Sequence, residues 1–153
     1  MYVRTATADD ALAVETIRIH GWQSAYRGLV PDSFLDALVI DAPRRAALIA
    51  SDEVTTLVAD HDGAVVGMAV HGPCRDEDRA GSVELYALYV DPGSWRSGIG
   101  SALVAACAAD VLWVLADNTR ARDFYTRHGF HPDGAEKVRD LDAPVREIRM
   151  SLG

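Results

Sequence analysis

Two stretches of this 153-residue chain combine residue types that can do chemistry. The first is Leu85-Tyr86-Ala87-Leu88-Tyr89-Val90-Asp91-Pro92, followed after Gly93 and Ser94 by Trp95-Arg96-Ser97-Gly98-Ile99-Gly100-Ser101-Ala102-Leu103. Its front half reads as a strand, and its back half as a glycine-bearing loop that opens a helix. A helix start leaves several backbone N–H groups without partners and carries partial positive charge. Ser97, Gly98, Ile99, Gly100 and Ser101 would present such groups to a phosphate or pyrophosphate, and Arg96 would add a full charge. A tight strand-to-helix connection without a ligand accounts for the same glycines. The spacing excludes two other nucleotide sites. Leu103 stands where a dinucleotide fingerprint needs its third glycine, and no Gly-Lys-Ser/Thr follows as a P-loop requires.

The second stretch is Leu112-Trp113-Val114-Leu115-Ala116-Asp117-Asn118-Thr119-Arg120-Ala121-Arg122-Asp123-Phe124-Tyr125-Thr126-Arg127-His128-Gly129-Phe130. Taken together, the two stretches resemble the GNAT superfamily of N-acetyltransferases. That family carries a strand, a Q/R-x-x-G-x-G/A loop and a helix, then a block N-x-x-A-x-x-F-Y-x-x-x-G-F. Asn118, Ala121, Phe124, Tyr125, Gly129 and Phe130 match the second block position by position. Trp95 departs from the first, standing where the family carries Gln or Arg, with Arg96 directly after it.

The resemblance implies an enzyme that moves an acetyl group from acetyl-CoA to an amine, with no metal. It implies a splayed pair of parallel strands, 82–90 and 111–115, with the pantetheine arm in the gap. The arm would pair with the backbone of Leu88, Tyr89 and Val90 like an added strand. A bulge in the first strand would aim one N–H, that of Leu88, at the thioester oxygen. Tyr125 would supply the proton that the departing thiolate needs; a plain core aromatic is the other reading of this position. Asn118 would bond the pantetheine, cap its helix, or do both.

The attacking amine must be neutral, and Glu84 is the candidate for removing its proton. Counting by twos puts Glu84 on the face of Tyr86 and Leu88. A solvent-facing strand carboxylate is the alternative. The acceptor would enter beside the first helices, where Trp22 and Tyr26 lie one turn apart on one face. Both could line a pocket or pack on the sheet. Asp76, Glu77 and Asp78 would form either a solvated charged loop or an attraction for a cation at the mouth.

These residues need a frame to hold them. Residues 1–7 read as a strand, and Asp9 and Asp10 offer an N-cap for a helix running to about Tyr26. Residues 32–39 and 42–50 read as short helices. A hairpin spans 55–70 around His61-Asp62-Gly63. Strand 82–90 follows, then helix 99–109, strand 111–115 and a helix from Asn118 to His128 ended by Gly129. Strands 130–136 and 145–152 close the chain. This order predicts one α/β (α+β) domain: a mixed, mostly antiparallel sheet with one parallel pair and helices on both faces. The helix after the glycine loop reads two or three turns shorter than is usual for the family, which could alter its packing and a possible homodimer contact.

Bulk properties fit this frame. The sequence is 49% hydrophobic and 25% charged, ordinary for a globular domain. A net charge of −8 argues against nucleic acid as a partner. No apolar run is long enough for a membrane span, and residues 1–5 lack a signal region, so a cytoplasmic location is expected. Cys74 and Cys107 make no disulfide framework or metal site, and five histidines lack ligand spacing. Cys107, on an alanine-rich helix, would be core, leaving direct attack in a ternary complex as the expected route. A non-catalytic acyl-CoA-binding or sensing domain of the same fold is the alternative. The acceptor amine, whether peptide or small molecule, is not legible.

Overall fold

The computed structural model describes residues 1–153. Seven strands form one sheet in the order β1-β2-β3-β4-β5-β7-β6. β1 is Tyr2–Thr5, β2 Thr55–His61, β3 Ala64–Pro73 and β4 Val83–Val90. β5 is Val111–Leu115, β6 Phe130–Asp140 and β7 Pro144–Leu152. Every neighbouring pair is antiparallel except β4 and β5. Five helices accompany the sheet: α1 Ala11–Ala25, α2 Asp32–Asp36, α3 Ala42–Ala50, α4 Ile99–Cys107 and α5 Thr119–Arg127. No helix is long and apolar enough to cross a membrane.

Two apolar layers clamp the sheet. On one face Leu85, Leu112, Val114, Ile148 and Met150 pack with Ile99, Leu103 and Cys107 of α4. On the other, Val58, Met68 and Val70 pack with Val14 and Ile17 of α1 and Ile49 of α3. A third cluster under α2 joins Leu35 and Val30 to Leu115 of β5 and Leu141. Alternation along each strand assigns its residues to these faces.

The expected elements are present, with several local differences at their ends. Asp10 stands at the N-cap of α1, but its side chain makes no cap bond to that helix. It closes a short 3-10 turn, Ala8–Asp10, where its carboxylate takes the Thr7 N–H at 2.8 Å and pairs with Arg4 at 2.8 Å. α2 stops at Asp36, three residues before the expected end. β6 runs on to Asp140, because an irregularity between Pro132 and Glu136 lets it resume pairing with β7. α4 ends at Cys107 rather than Ala109. Ala108 turns left-handed at φ 49, which reverses the chain straight into β5. α4 is therefore nine residues long, shorter than the expected 99–109.

Candidate active site

β4 and β5 pair only at Glu84 with Val111 and Leu85 with Leu112. Beyond that point the strands separate. β5 turns into α5 after Leu115, while β4 continues to Val90 against β3. The result is a cleft of about 610 Å³ whose walls include Leu88, Val90, Trp113, Asn118 and Tyr125.

A bulge sets the direction of β4. His71 faces Leu85 and Val70 faces Ala87, so Tyr86 is an extra residue with no partner on β3. The bulge resets the alternation. Tyr86, Ala87 and Tyr89 pack toward α1, whereas Leu85, Leu88 and Val90 pack toward α4. Counting by twos across the bulge therefore fails: Glu84 does not share a face with Leu88. Past the bulge, Asp91 N–H bonds Val66 O toward β3. By antiparallel alternation the backbone groups of Leu88 and Val90 turn to the gap.

Glu84 lies at the closed end of the fork. It is 7% exposed, accepts the Arg75 N–H at 3.2 Å and does not reach the cleft wall. The structure thus separates it from Tyr125, which does line the cleft. Tyr125 is held by Phe124 and Phe130 in edge-on contacts at 5.4 and 6.1 Å. Burial raises its phenol well above the usual value, so the group stays protonated near neutral pH and keeps a proton to donate.

The glycine loop meets the geometric requirement for an anion. Arg96 at φ 65 and Gly98 at φ 82 bend the backbone into the start of α4. Gly98 is the N-cap and provides no side-chain cap, and the first helical bond runs from Ala102 N–H to Gly98 O. The N–H groups of Ile99, Gly100 and Ser101 are thus left without helical partners. Ser97 Oγ closes the loop on Ser94 O. Trp95 folds back, donates its indole N–H to Val90 O at 2.9 Å, and carries the Arg120 guanidinium over its ring at 3.6 Å. Its side chain thereby braces the loop against the end of β4.

Asn118 is the N-cap of α5. Its Oδ1 accepts the Ala121 N–H at 3.2 Å, while its Nδ2 has no protein partner and belongs to the cleft wall. Tyr26 also lines the cleft, and its hydroxyl lies 3.3 Å from that of Tyr89. Trp22 does not line it. Its ring packs on Tyr26 at 4.9 Å and Phe34 at 5.8 Å in the cluster beneath α2.

Four features escaped the sequence reading. Asp76 and Asp78 are not waiting for a cation: both bind Arg149 of β7, at 3.1 and 2.7 Å; Asp78 stays exposed, whereas Asp76 is partly buried and also takes the Trp113 indole N–H. His128 is not a free turn residue. It bridges Phe124 O and Ser101 Oγ at 2.8 and 2.9 Å, tying α5 to the start of α4. Because Phe124 O can only accept, Nδ1 carries the proton in that bond. Gly21 of α1 lies against the Tyr89 ring. Glu147 of β7 enters the cleft wall and is 6% exposed. A pattern did exist for Arg149, since a charged residue at every second strand position calls for buried partners, but Val145-Arg146-Glu147-Ile148-Arg149 carries charge on both faces and so hides it.

The model of the acetyltransferase (GNAT) family matches residues 18–130, which contain the fork, the loop and α5. The chain belongs to the GNAT family. An uncharacterized N-acetyltransferase of Bacillus subtilis, YuaI, is 28% identical over 125 residues, 76% of this chain and 72% of that protein. A probable N-acetyltransferase of Mycobacterium tuberculosis, Rv2775, is 28% identical over 144 residues, 86% of this chain and 80% of its own. The crystal structure of the PaiA N-acetyltransferase of Thermoplasma acidophilum in complex with coenzyme A superposes with a TM-score of 0.76. It shares 18% identity and covers 98% of both chains. YncA of Salmonella typhimurium, solved with acetyl-CoA, superposes at 0.74 with 21% identity, over 99% of this GNAT chain and 92% of its own. Membership makes acetyl transfer from acetyl-CoA the general chemistry of the protein.

Proposed function

We propose that the protein transfers the acetyl group of acetyl-CoA to a primary amine by direct attack in a ternary complex. The observation that carries this reading is the separation of β4 and β5 after Leu85, with backbone groups facing the gap on one side and a protonated phenol on the other. The diphosphate of the co-substrate would rest on the unpartnered N–H groups of Ile99, Gly100 and Ser101, with Arg96, Ser97 and Gly98 shaping the approach. Its pantetheine arm would run along Leu88, Tyr89 and Val90, and Asn118 Nδ2 is free to donate to it. The Val90 carbonyl would be offered in exchange for its Trp95 bond.

Attack forms the N–C bond and places negative charge on the carbonyl oxygen, which the Leu88 N–H would stabilise. Collapse breaks the C–S bond, Tyr125 would hand its proton to the thiolate, and the proton shed by the newly acetylated nitrogen would restore the phenol by way of water. Coenzyme A and the N-acetyl product remain. Cys107 is buried on the core face of α4 and its thiol is pushed up to about 11, so it does not supply an acyl-enzyme.

The test is a titration with acetyl-CoA followed by melting temperature, joined to a thiol-release assay over a panel of amines. Stabilisation by acetyl-CoA together with amine-dependent thiol release is the expected result. Absence of both would overturn the proposal, and stabilisation without turnover of any amine would favour a sensing domain.

A further inference from the structure

One buried acid on the cleft wall has an unmet bonding need. Glu147 is 6% exposed, and its Oε1 has no hydrogen-bond partner in the protein. Its other oxygen, Oε2, has only the Arg139 guanidinium, at 3.7 Å. That distance is long for a charge-assisted bond. A buried carboxylate oxygen without a donor is costly, and native proteins satisfy such atoms with a partner, a water or a ligand.

Its position gives the free oxygen a use. Glu147 pairs with Leu115 across the β5–β7 ladder, so it stands one strand from the edge of the open fork. Cross-strand partners lie about 5 Å apart, which keeps the carboxylate within a side chain's reach of the gap. It emerges on the face of Leu115, Trp113 and Arg149, which is the side of α1 and α2 and opposite to α4 with its phosphate cradle. Tyr26, Tyr89 and Trp113 share the cleft wall with it. The surrounding charges are accounted for. Arg139 sits beside Trp22, Lys137 faces Glu147 across the β6–β7 ladder with its ammonium over the Trp113 ring at 4.1 Å, and Arg149 is consumed by Asp76, Asp78 and Asp133.

We infer that Glu147 Oε1 is the acceptor-recognition point of the cleft: it receives the amine of the substrate as the ammonium, which releases one proton to water before the free amine attacks, and the aromatic wall of Tyr26, Tyr89 and Trp113 holds the carbon next to it. The substrate class is then an aliphatic primary ammonium compound rather than an aromatic amine or an amide, which carry no charge at neutral pH. The carboxylate supplies charge-assisted binding, and aromatic faces attract cations and their adjacent methylenes. This rests on the acetyl-transfer reading above, because it assigns the second substrate of that reaction.

The experiment compares the wild type with Glu147→Gln, which keeps the shape and removes the charge. Both receive acetyl-CoA and two amine sets, alkylamines charged at the assay pH and anilines neutral there, with thiol release as the readout. The expected result is a KM for alkylamines raised roughly ten- to a hundredfold, the scale of one lost charge-assisted bond. The KM for acetyl-CoA and the melting shift produced by coenzyme A should be unchanged, which a general loss of structure would not allow. Equal alkylamine KM values in the two proteins, or a wild type that prefers anilines, overturn the inference while leaving acetyl transfer standing. No turnover of any amine by the wild type overturns both.

Discussion

A Cβ added to Gly21 would lie 2.5 Å from Cδ1 of Tyr89, and within 3.2 Å of the Tyr89 Cβ as well. α1 therefore rests directly on the root of the Tyr89 ring, and that ring sets the hydroxyl 3.3 Å from Tyr26 in the cleft. Glycine inside a helix costs about 1 kcal/mol relative to alanine. Here the close approach of helix to strand demands it. Gly21→Ala would gain that helix preference and lose about 1–3 kcal/mol to overpacking, because the contact is at the base of the ring and cannot swing away. A lower melting temperature is expected in thermal unfolding. A rise would show that α1 can shift at no cost.

Tyr125→Phe removes the phenol and keeps the ring between Phe124 and Phe130. A donor to the leaving thiolate contributes on the order of a hundredfold or more. Steady-state kinetics should show kcat lowered by about that factor, with affinity for acetyl-CoA nearly unchanged. An unchanged kcat would leave Tyr125 as packing alone.

Ala108 occupies the left-handed region at φ 49 at the end of α4. A side chain with a Cβ is strained there by about 1–2 kcal/mol, and glycine is not. Part of that gain is lost to the greater freedom of glycine in the unfolded chain. Ala108→Gly should stabilise the fold by about 0.5–1 kcal/mol in urea denaturation.

Arg4 holds the Asp10 carboxyl at a pKa of about 2, down from 3.8, chiefly through a 2.8 Å bond, against the opposing pull of burial. The folded protein thus binds the proton less readily than the unfolded chain. The resulting stability is complete above pH 3.8 and disappears as pH falls toward 2. Asp10→Asn should cost about 1 kcal/mol at pH 7. The gap between variant and wild type should close between pH 4 and pH 2, measured by denaturant midpoints across that range.

Asn118→Ala separates two roles of one side chain. Loss of the 3.2 Å cap to Ala121 should lower stability by about 1 kcal/mol. If Nδ2 also binds the pantetheine arm, acetyl-CoA affinity falls beyond what the variant's stability explains; isothermal titration reads this directly.

Much of this was legible along the chain, because it is local. The spacing of apolar residues marks α3 and β5 to the residue, and Asn118 and Gly129 punctuate α5 as caps do. The glycine loop before α4 and the Asn-to-Phe block of residues 118–130 announced the family, since each is a run of backbone and side-chain requirements close in sequence. Short-range order of this kind depends on each residue and its near neighbours.

Tertiary structure decided the rest, and for one physical reason: strand pairing and burial are set by residues far apart in the chain. Nothing in 83–90 states that Tyr86 is skipped by β3, yet that skip turns Leu88 away from the face of Glu84. Asp76 looks like a free loop charge until Arg149, more than seventy residues on, is brought beside it and Asp78. Glu147 is an ordinary strand carboxylate by sequence. Only the assembly of β5, β7 and β6 buries it, starves one of its oxygens of a donor and brings the residue into the wall of the cleft.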